Sequence, residues 1–234
     1  LAGGGPLEPA QSHGVGQLVR AVVERAQHRV AAPEVERAAA RALQRAIDDG
    51  SIGMPRAIDV HLFFSRWPRD WQASAQWLRL RREGGFTREV LSHFVFLMMR
   101  LFGDCRPIGA SVDWPEDEGL CERALIARLD CNGVPALVTA RAGGAGPDEV
   151  RFTVRGEQGA LRLENWYELS RSDGSAWQPQ PLEAGGAHDV RTAAYQAQLD
   201  GLVAFVRGNP HGLPDAAMAL RVQATIEALL ASAT

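Results

Sequence analysis

Residues 123–141 read RALIARLDCNGVPALVTAR, and this stretch decides the fold that the sequence predicts. Two strand-like runs, Arg123–Cys131 and Pro135–Arg141, stand on either side of Asn132-Gly133. Asn-Gly is a strong signal for a two-residue hairpin turn, because both positions of that turn need positive φ. The stretch therefore predicts two antiparallel strands.

Further strand-like runs lie on both sides of this hairpin. They are Ile108–Trp114, Val150–Arg155 and Ala160–Tyr167, with glycine-rich turns after residues 142 and 155. Consecutive strands without helices between them indicate an antiparallel sheet. Upstream, Arg56–Ser65 alternates apolar and more polar residues, which predicts a strand with one apolar face.

Helical patterns flank these strands. They cover Val15–His28, a segment from Pro33 to Asp49-Gly50, a central segment from Phe86 to Leu101, Val190–Arg207, and a last segment from Leu213 to Ala231. The order predicts an α+β fold, a predominantly antiparallel open sheet with helices packed on one face. The other face must be wet or covered, and a second subunit is a common cover.

Composition excludes several classes of protein. A formal charge of -3 gives no general reason to expect nucleic acid or an anionic membrane as partner. No apolar run approaches the ~18 residues that cross a bilayer. All 25 basic residues are arginines, so no lysine of this chain serves as acid, base or Schiff-base former.

The cysteines and the first residues bear on compartment and completeness. Cys105, Cys121 and Cys131 form no CxxC pair, and their odd number argues against a disulfide framework, so we expect a reducing cytoplasm. The start, Leu1–Gly5, has neither an initiator Met nor the layout of a signal peptide. We therefore expect a cut end.

Four segments together resemble the Gfo/Idh/MocA family (glucose–fructose oxidoreductase, inositol dehydrogenase and relatives). They are the helix-end motif Arg45–Gly53, the Gly-rich turn and helix Gly84–Gly103, the G-x-x-G strand turn Gly156–Leu161, and the closing segments that begin at Tyr195 and Leu220. Each motif alone is weak, but their order and spacing span about residues 36–232.

The resemblance implies a two-domain oxidoreductase. Its N-terminal Rossmann domain binds NAD or NADP, and its C-terminal sheet domain shapes the substrate pocket and often the subunit interface. We expect residues 1–32 to be the end of the dinucleotide-binding domain and residues 33–234 to be the substrate-binding and oligomerisation domain. The resemblance also implies a homodimer or higher homo-oligomer through the open sheet face.

The cofactor half departs from the family pattern. No G-x-G-x-x-G follows a strand and opens a helix, and Gly5 stands where the family's catalytic Lys is expected. These departures predict a Rossmann half that is missing or not represented in the chain.

The central helix carries the predicted catalytic pair. Glu89 and His93 are spaced i,i+4 and share a helix face. The resemblance places them in the pocket, where the family has Asp-x-x-x-His. Glu89 replaces that Asp, and Leu91 stands where a Gly is common. An imidazole suits proton transfer from a hydroxyl near neutral pH. Residue types alone allow a different reading, an ordinary surface contact.

Four further residues are weaker candidates for contacts with the substrate. Arg88 suits a carboxylate or phosphate. Arg66, Trp67 and Trp71 lie in the loop after the first strand, where the family places substrate contacts. The alternatives are an exposed helix arginine and tryptophans buried as lid or core. His61 is predicted to be structural, and no metal site is predicted, since no third ligand accompanies Glu89 and His93.

The sequence thus predicts an NAD(P)-dependent oxidoreductase of a sugar-like or other hydroxyl or carbonyl substrate, of which this chain supplies the substrate-binding half. Two alternatives stay open. One is a binding or assembly module that has lost its cofactor domain, and the other is a dimerisation domain whose pocket is vestigial.

Overall fold

A computed structural model describes residues 33–166, 168–181, 199–204, 206–209 and 216–232. The predicted helix Val15–His28 lies outside these residues. Within the predicted helix Val190–Arg207, residues 199–204 and 206 are described and are helical.

Besides the helical residues 199–204 and 206, the described residues form three helices and eight strands. The helices are α1 (Pro33–Asp48), α2 (Ser92–Phe102) and α3 (Ala216–Ala231), and a π-helical turn, Thr87–Leu91, leads directly into α2. The strands are β1 (Pro55–Phe64), β2 (Cys105–Asp113), β3 (Ala124–Cys131), β4 (Val134–Ala142), β5 (Glu149–Gly156), β6 (Ala160–Glu164), β7 (Glu168–Ser172) and β8 (Gln178–Gln180). Two 3₁₀ turns, Asp70–Gln72 and Gln76–Arg79, lie between β1 and the π-helical turn.

The eight strands form one sheet in the order β2-β3-β4-β1-β5-β6-β7-β8. Among the described strands only β1 and β4 pair in parallel, and all other neighbours are antiparallel. Asn132 and Gly133 have φ of 52° and 89° between β3 and β4, so the predicted hairpin turn is confirmed.

One face of the sheet is apolar and carries the helices. Ile58 lies opposite Ala136 of β4 and Val154 of β5, so their side chains share a face. That face is buried with Phe94 of α2 and Ile226 of α3 in one core. The predicted α+β architecture, an open and mostly antiparallel sheet with helices on one face, is confirmed.

The last strands differ from the prediction. The strand predicted to reach Tyr167 ends at Glu164, because Asn165 and Trp166 take positive φ of 49° and 75°. Tyr167 itself lies outside the described residues. β7 and β8 were not predicted, since Leu169 is the sole large apolar residue in these two short strands and gives no alternation to detect.

The prediction that the cysteines form no disulfide framework was wrong for one pair. Cys105 and Cys131 are directly opposite in the register of β2 and β3 and are joined by a disulfide, while Cys121 is free. Counting cysteines cannot detect a pair that only strand register brings together. The argument for a reducing compartment loses its basis, and a cytoplasmic location stays a prediction.

The chain divides into two compact units. One contains Glu36–Glu183 and Gly212–Thr234 and holds the sheet, and the other consists of Leu1–Val35 and Ala184–His211. The predicted domain boundary at residues 32/33 remains a prediction. In the described part of the chain, no helix combines the length and apolar character that crossing a membrane requires.

Candidate functional site

Two glycines bring the chain to the start of the central helix. The N–H of Gly84 donates to the carbonyl oxygen of Leu80 at 2.7 Å, and that of Gly85 donates to Leu78 at 2.9 Å. A Cβ atom on Gly84 would collide with the backbone of Leu78, and Gly85 has a φ of 93°. Both positions therefore need glycine for this close passage.

The buried side chain of Glu122 stabilises the helix start. Its Oε1 accepts a 2.7 Å hydrogen bond from the backbone N–H of Thr87. The first N–H groups of a helix have no partner within the helix and carry partial positive charge, which a carboxylate satisfies. Glu122 is only 2% exposed. Burial raises the pKa of its carboxyl group, and the hydrogen bond from the Thr87 backbone opposes that rise.

Arg88 joins the same turn to the last helix. Its Nε and Nη2 donate to both carboxylate oxygens of Glu227 in α3, at 2.7 and 2.8 Å. Its Nη1 donates to the carbonyl oxygens of Arg81 and Gly84 at 2.7 and 3.0 Å. The ion pair lowers the pKa of Glu227 and raises that of Arg88. Because these bonds use most of its donors, the geometry favours a structural role for Arg88.

Glu89 and His93 lie where the π-helical turn meets α2. The N–H of Ser92 donates to the carbonyl oxygen of Thr87, five residues earlier, which widens the helix at this point. Such π turns recur at functional sites. Glu89 is buried at 9% exposure, and His93 is partly exposed. The expected regular helix is thus replaced, at the predicted catalytic pair, by a wider turn.

Trp166 contacts His93 from the turn after β6. The two ring centres are 5.5 Å apart and nearly perpendicular. Trp166 also stacks on Phe94 at 5.3 Å, and Phe94 stacks on Phe152 of β5 at 5.8 Å. A positive φ at a large residue costs free energy that surrounding contacts must offset. This stack provides those contacts and brings an indole to the His93 ring.

The loop after β1 packs against the helix start. The Nε1 of Trp67 donates to the carbonyl oxygen of Leu78 at 3.0 Å, and its ring meets Phe86 edge-on at 6.0 Å. Trp71 is 61% exposed. Arg66 is exposed and pairs with Asp70 at 2.9 Å.

Arg69 lies between the two tryptophans of this loop. Its Cζ is 5.5 Å from the ring centre of Trp67 and 4.7 Å from that of Trp71, distances typical of cation–π contacts. Burial lowers the pKa of Arg69, and the negative charges of Glu89 and Asp148 oppose this. The loop thereby places a half-buried cation within electrostatic reach of Glu89.

The structure brings together part of the predicted site. Trp67 packs on the residue before the π-helical turn that carries Glu89, and His93 follows one turn later. The ion pair of Arg66 is with Asp70 and does not involve Glu89 or His93. The roles of all six predicted residues stay predictions.

Sequence reasoning missed Arg69, Glu122 and Trp166. Arg69 had a signal, since it stands midway between Trp67 and Trp71. Asn165, a residue that tolerates positive φ, marked the turn that presents Trp166. Glu122 had no signal in the sequence, because its partner Thr87 is 35 residues away.

No metal or dinucleotide cradle is found within the described ranges. No group of three or more His, Cys, Asp or Glu side chains there is placed to hold a metal ion. β1 runs into Ser65-Arg66-Trp67 rather than into a glycine-rich phosphate loop. The described residues therefore do not fit a nicotinamide dinucleotide by themselves.

Comparison of sequences identifies a family. Residues 40–162, more than half of the 234 residues, match the family profile described as GFO/IDH/MocA C-terminal domain. No curated protein matches the chain.

Solved structures share the fold. An oxidoreductase from Thermotoga maritima superposes with a TM-score of 0.67 at 20% identity, over 86% of this chain and 59% of that one. An oxidoreductase from Agrobacterium radiobacter in complex with NAD+, L-tartaric acid and magnesium superposes with a TM-score of 0.65 at 18% identity. The superposition covers 84% of this chain and 59% of that one. A 3-ketoreductase from Actinomadura kijaniata in complex with NADP and TDP-benzene superposes with a TM-score of 0.63 at 18% identity. The superposition covers 82% of this chain and 58% of that one.

The chain thus spans less than two thirds of the length of these solved structures. At such low identities they show the fold alone, and the family rests on the profile match. The chain belongs to the GFO/IDH/MocA family, in which it matches the C-terminal domain.

Proposed function

We propose that this chain is the substrate-binding half of an NAD(P)-dependent oxidoreductase that acts on a hydroxyl or carbonyl group of a sugar-like small molecule. Family membership supports the reaction class. Solved structures of the same fold include oxidoreductases bound to NAD+ and to NADP. The observation that carries the proposal is the position of Glu89 and His93 at the junction of the π-helical turn and α2. The start of this turn is fixed by Glu122 and by the Arg88–Glu227 pair.

His93 is proposed as the acid–base catalyst. When a hydroxyl carbon loses a hydride, its oxygen loses a proton, and an imidazole accepts that proton near neutral pH. In the reverse direction His93 returns the proton to the carbonyl oxygen. Glu89 orients the ring or accepts a substrate hydroxyl, and the edge-on contact with Trp166 restricts rotation of the ring.

The cofactor is proposed to bind outside the described residues. Residues 1–32 would be the end of a dinucleotide-binding domain, and residues 33–234 would form the substrate domain. Since the described part of the chain has no phosphate loop after β1, the described residues account for the proton and the substrate only.

The test is turnover by the purified full-length protein with NAD or NADP and a set of polyols and their keto forms. His93→Ala should lower kcat by roughly 10²–10⁴-fold. The pH–rate profile should also lose the limb that an imidazole produces. His61→Ala is the matched control, because His61 lies on β1 and contacts Thr139 at 2.9 Å. Full activity of His93→Ala would contradict the proposal.

A second candidate is a binding module without redox activity. The Ser65-Arg66-Trp67 loop after β1, where a dinucleotide-binding unit would have glycines, favours it. Titration of the full-length protein with NADH and NADPH separates the two. Micromolar binding supports the oxidoreductase, and a protein that folds and binds sugars but neither cofactor supports the module.

The open face of the sheet is proposed to bind a second copy of the chain. Its apolar patch is defined by three exposed residues on β2, β3 and β4, namely Ile108 (47% exposed), Ile126 (62%) and Leu137 (52%). Such a patch in a water-facing sheet favours association. Asp59 and Arg155 pair on the same face, so it offers both charge signs to an identical surface.

A further inference from the structure

The guanidinium of Arg69 has unused hydrogen-bonding capacity. Its Nε donates to the Oε1 of the buried Gln72 at 3.0 Å, which fixes the orientation of the group. Phe64, Trp67 and Trp71 surround its Cζ at 5.4, 5.5 and 4.7 Å. Among the described residues, neither terminal amino group of Arg69 donates a hydrogen bond. A fixed cation thus presents four N–H groups without protein acceptors.

Glu89 has hydrogen-bond acceptors that no described residue uses. Its side chain is 9% exposed, and its carboxylate accepts no hydrogen bond from any residue that the structure describes. Buried carboxylates normally have such partners, because an unsatisfied one is costly. Glu89 and Arg69 attract each other but form no ion pair within 4.0 Å. Neither the terminal amino groups of Arg69 nor the carboxylate oxygens of Glu89 are fully buried.

The chemistry of a bridging ligand follows from these two groups. Arginine only donates and an ionised carboxylate only accepts. A hydroxyl group accepts from one and donates to the other, and two adjacent hydroxyls also match the two terminal amino groups. A ligand carboxylate would meet Glu89 and Asp148, which already compensate the charge of Arg69. A ligand amine would meet the guanidinium.

Two other arginines near the helix start, Arg88 and Arg66, are already engaged. Arg88 is bound to Glu227 and to two backbone carbonyls, and Arg66 pairs with Asp70 in solvent. Asp148 accepts hydrogen bonds from the backbone and hydroxyl of Ser65, at 2.9 and 3.1 Å, which holds the start of the loop.

We propose that Arg69 is a specificity-determining residue, which with Glu89 binds a neutral vicinal diol of the substrate and selects against substrates that carry a carboxylate there. This inference rests on the proposed function, because that function places the substrate beside His93. It adds Arg69, which the sequence analysis did not name, and a preference for an uncharged ligand group.

The test is equilibrium binding by calorimetry, with the full-length protein and without turnover. The probes are D-glucitol, D-mannitol and galactitol, each matched with the aldonate of the same stereochemistry. A hexitol and its aldonate differ only in a terminal CH₂OH or carboxylate. We expect a hexitol to bind more tightly than its aldonate. Arg69→Met should weaken hexitol binding at least about tenfold.

Arg79→Met is the control, since it removes an exposed arginine from the segment between β1 and the π-helical turn and should leave binding unchanged. Unfolding temperature checks that Arg69→Met folds, which the apolar surroundings of the side chain favour. Wild-type affinity in Arg69→Met would overturn the proposal, as would tighter binding of the aldonates or no hexitol binding. Turnover lost in His93→Ala would still support the oxidoreductase in each of these cases, so the two failures are distinguishable.

Discussion

The carboxylate of Glu122 occupies the space beside Gly85 that a side chain at that position would need. The same carboxylate accepts a hydrogen bond from Thr87, two residues further on. A buried acid and a glycine with positive φ thus fit each other at the first turn of the helix that carries Glu89 and His93. Changes at either residue should therefore reach the candidate site.

The first prediction concerns pH. Burial raises the pKa of Glu122 in the folded protein above its unfolded value of about 4.3. The folded state then binds the proton more tightly, so this group's contribution to stability falls as pH rises from the unfolded pKa through the folded pKa. Glu122→Gln keeps an acceptor for Thr87 and cannot ionise. We expect the variant to gain stability relative to wild type as pH rises.

Urea unfolding between about pH 5 and about pH 8 measures this difference. Glu118→Gln, in the exposed part of the same loop, reports the effect of removing a surface carboxylate. A stability of Glu122→Gln that stays constant or falls relative to wild type as pH rises would contradict the assignment.

The second prediction separates backbone strain from collision at Gly85. Gly85 and Gly143 have φ of 93° and 94°, but a Cβ on Gly143 meets nothing within 4 Å. Gly143→Ala should lower the free energy of unfolding by about 1–2 kcal/mol, because a residue with a Cβ is strained in left-handed backbone. Gly85→Ala should cost about 1–3 kcal/mol more, because it also displaces Glu122.

Chemical denaturation of both variants provides the measurement. In a Glu122→Ala background, the cost of Gly85→Ala should fall to that of Gly143→Ala. Equal costs of the two glycine substitutions in the wild-type background would show that no collision occurs.

The third prediction concerns the link between the π-helical turn and α3. Arg88 and Glu227 are 16% and 44% exposed at the side chain, and the pair is bidentate. Arg88→Met should lower stability by about 1.5–3 kcal/mol, since charged hydrogen bonds in a partly buried site are lost. Arg66→Met removes an exposed pair and should change little.

A double-mutant cycle with Glu227→Gln isolates the coupling between the two side chains. A coupling free energy near zero would indicate that Arg88 is held by its backbone acceptors alone. In that case Arg88 again becomes a candidate for substrate binding.

The fourth prediction concerns self-association through the open sheet face. Ile126→Arg should shift the protein toward the monomer, because it puts a charge in the centre of the apolar patch. Met54→Arg is the control, since Met54 is 61% exposed and Ile126 62%, but Met54 lies outside the strands. Light scattering after size exclusion measures the mass. An Ile126→Arg variant with the wild-type mass would contradict the use of this face.

Local patterns in the sequence determined most of the sheet. The alternation in β1 and the Asn132-Gly133 turn depend on neighbours in sequence, so strand faces and the hairpin followed from them. Family motifs then placed Glu89 and His93 on one helix. β7 and β8 escaped prediction because short polar strands carry no periodic signal.

Tertiary structure alone decided how the candidate site is built. Glu122 meets Thr87 across 35 residues, Arg88 meets Glu227 across 139, and Cys105 meets Cys131 through strand register. Each partner has an ordinary sequence context, and only the packing of the chain makes it a neighbour. Burial and hydrogen-bonding capacity are properties of that packing, which is why the sequence named the helix but not Arg69 or Glu122.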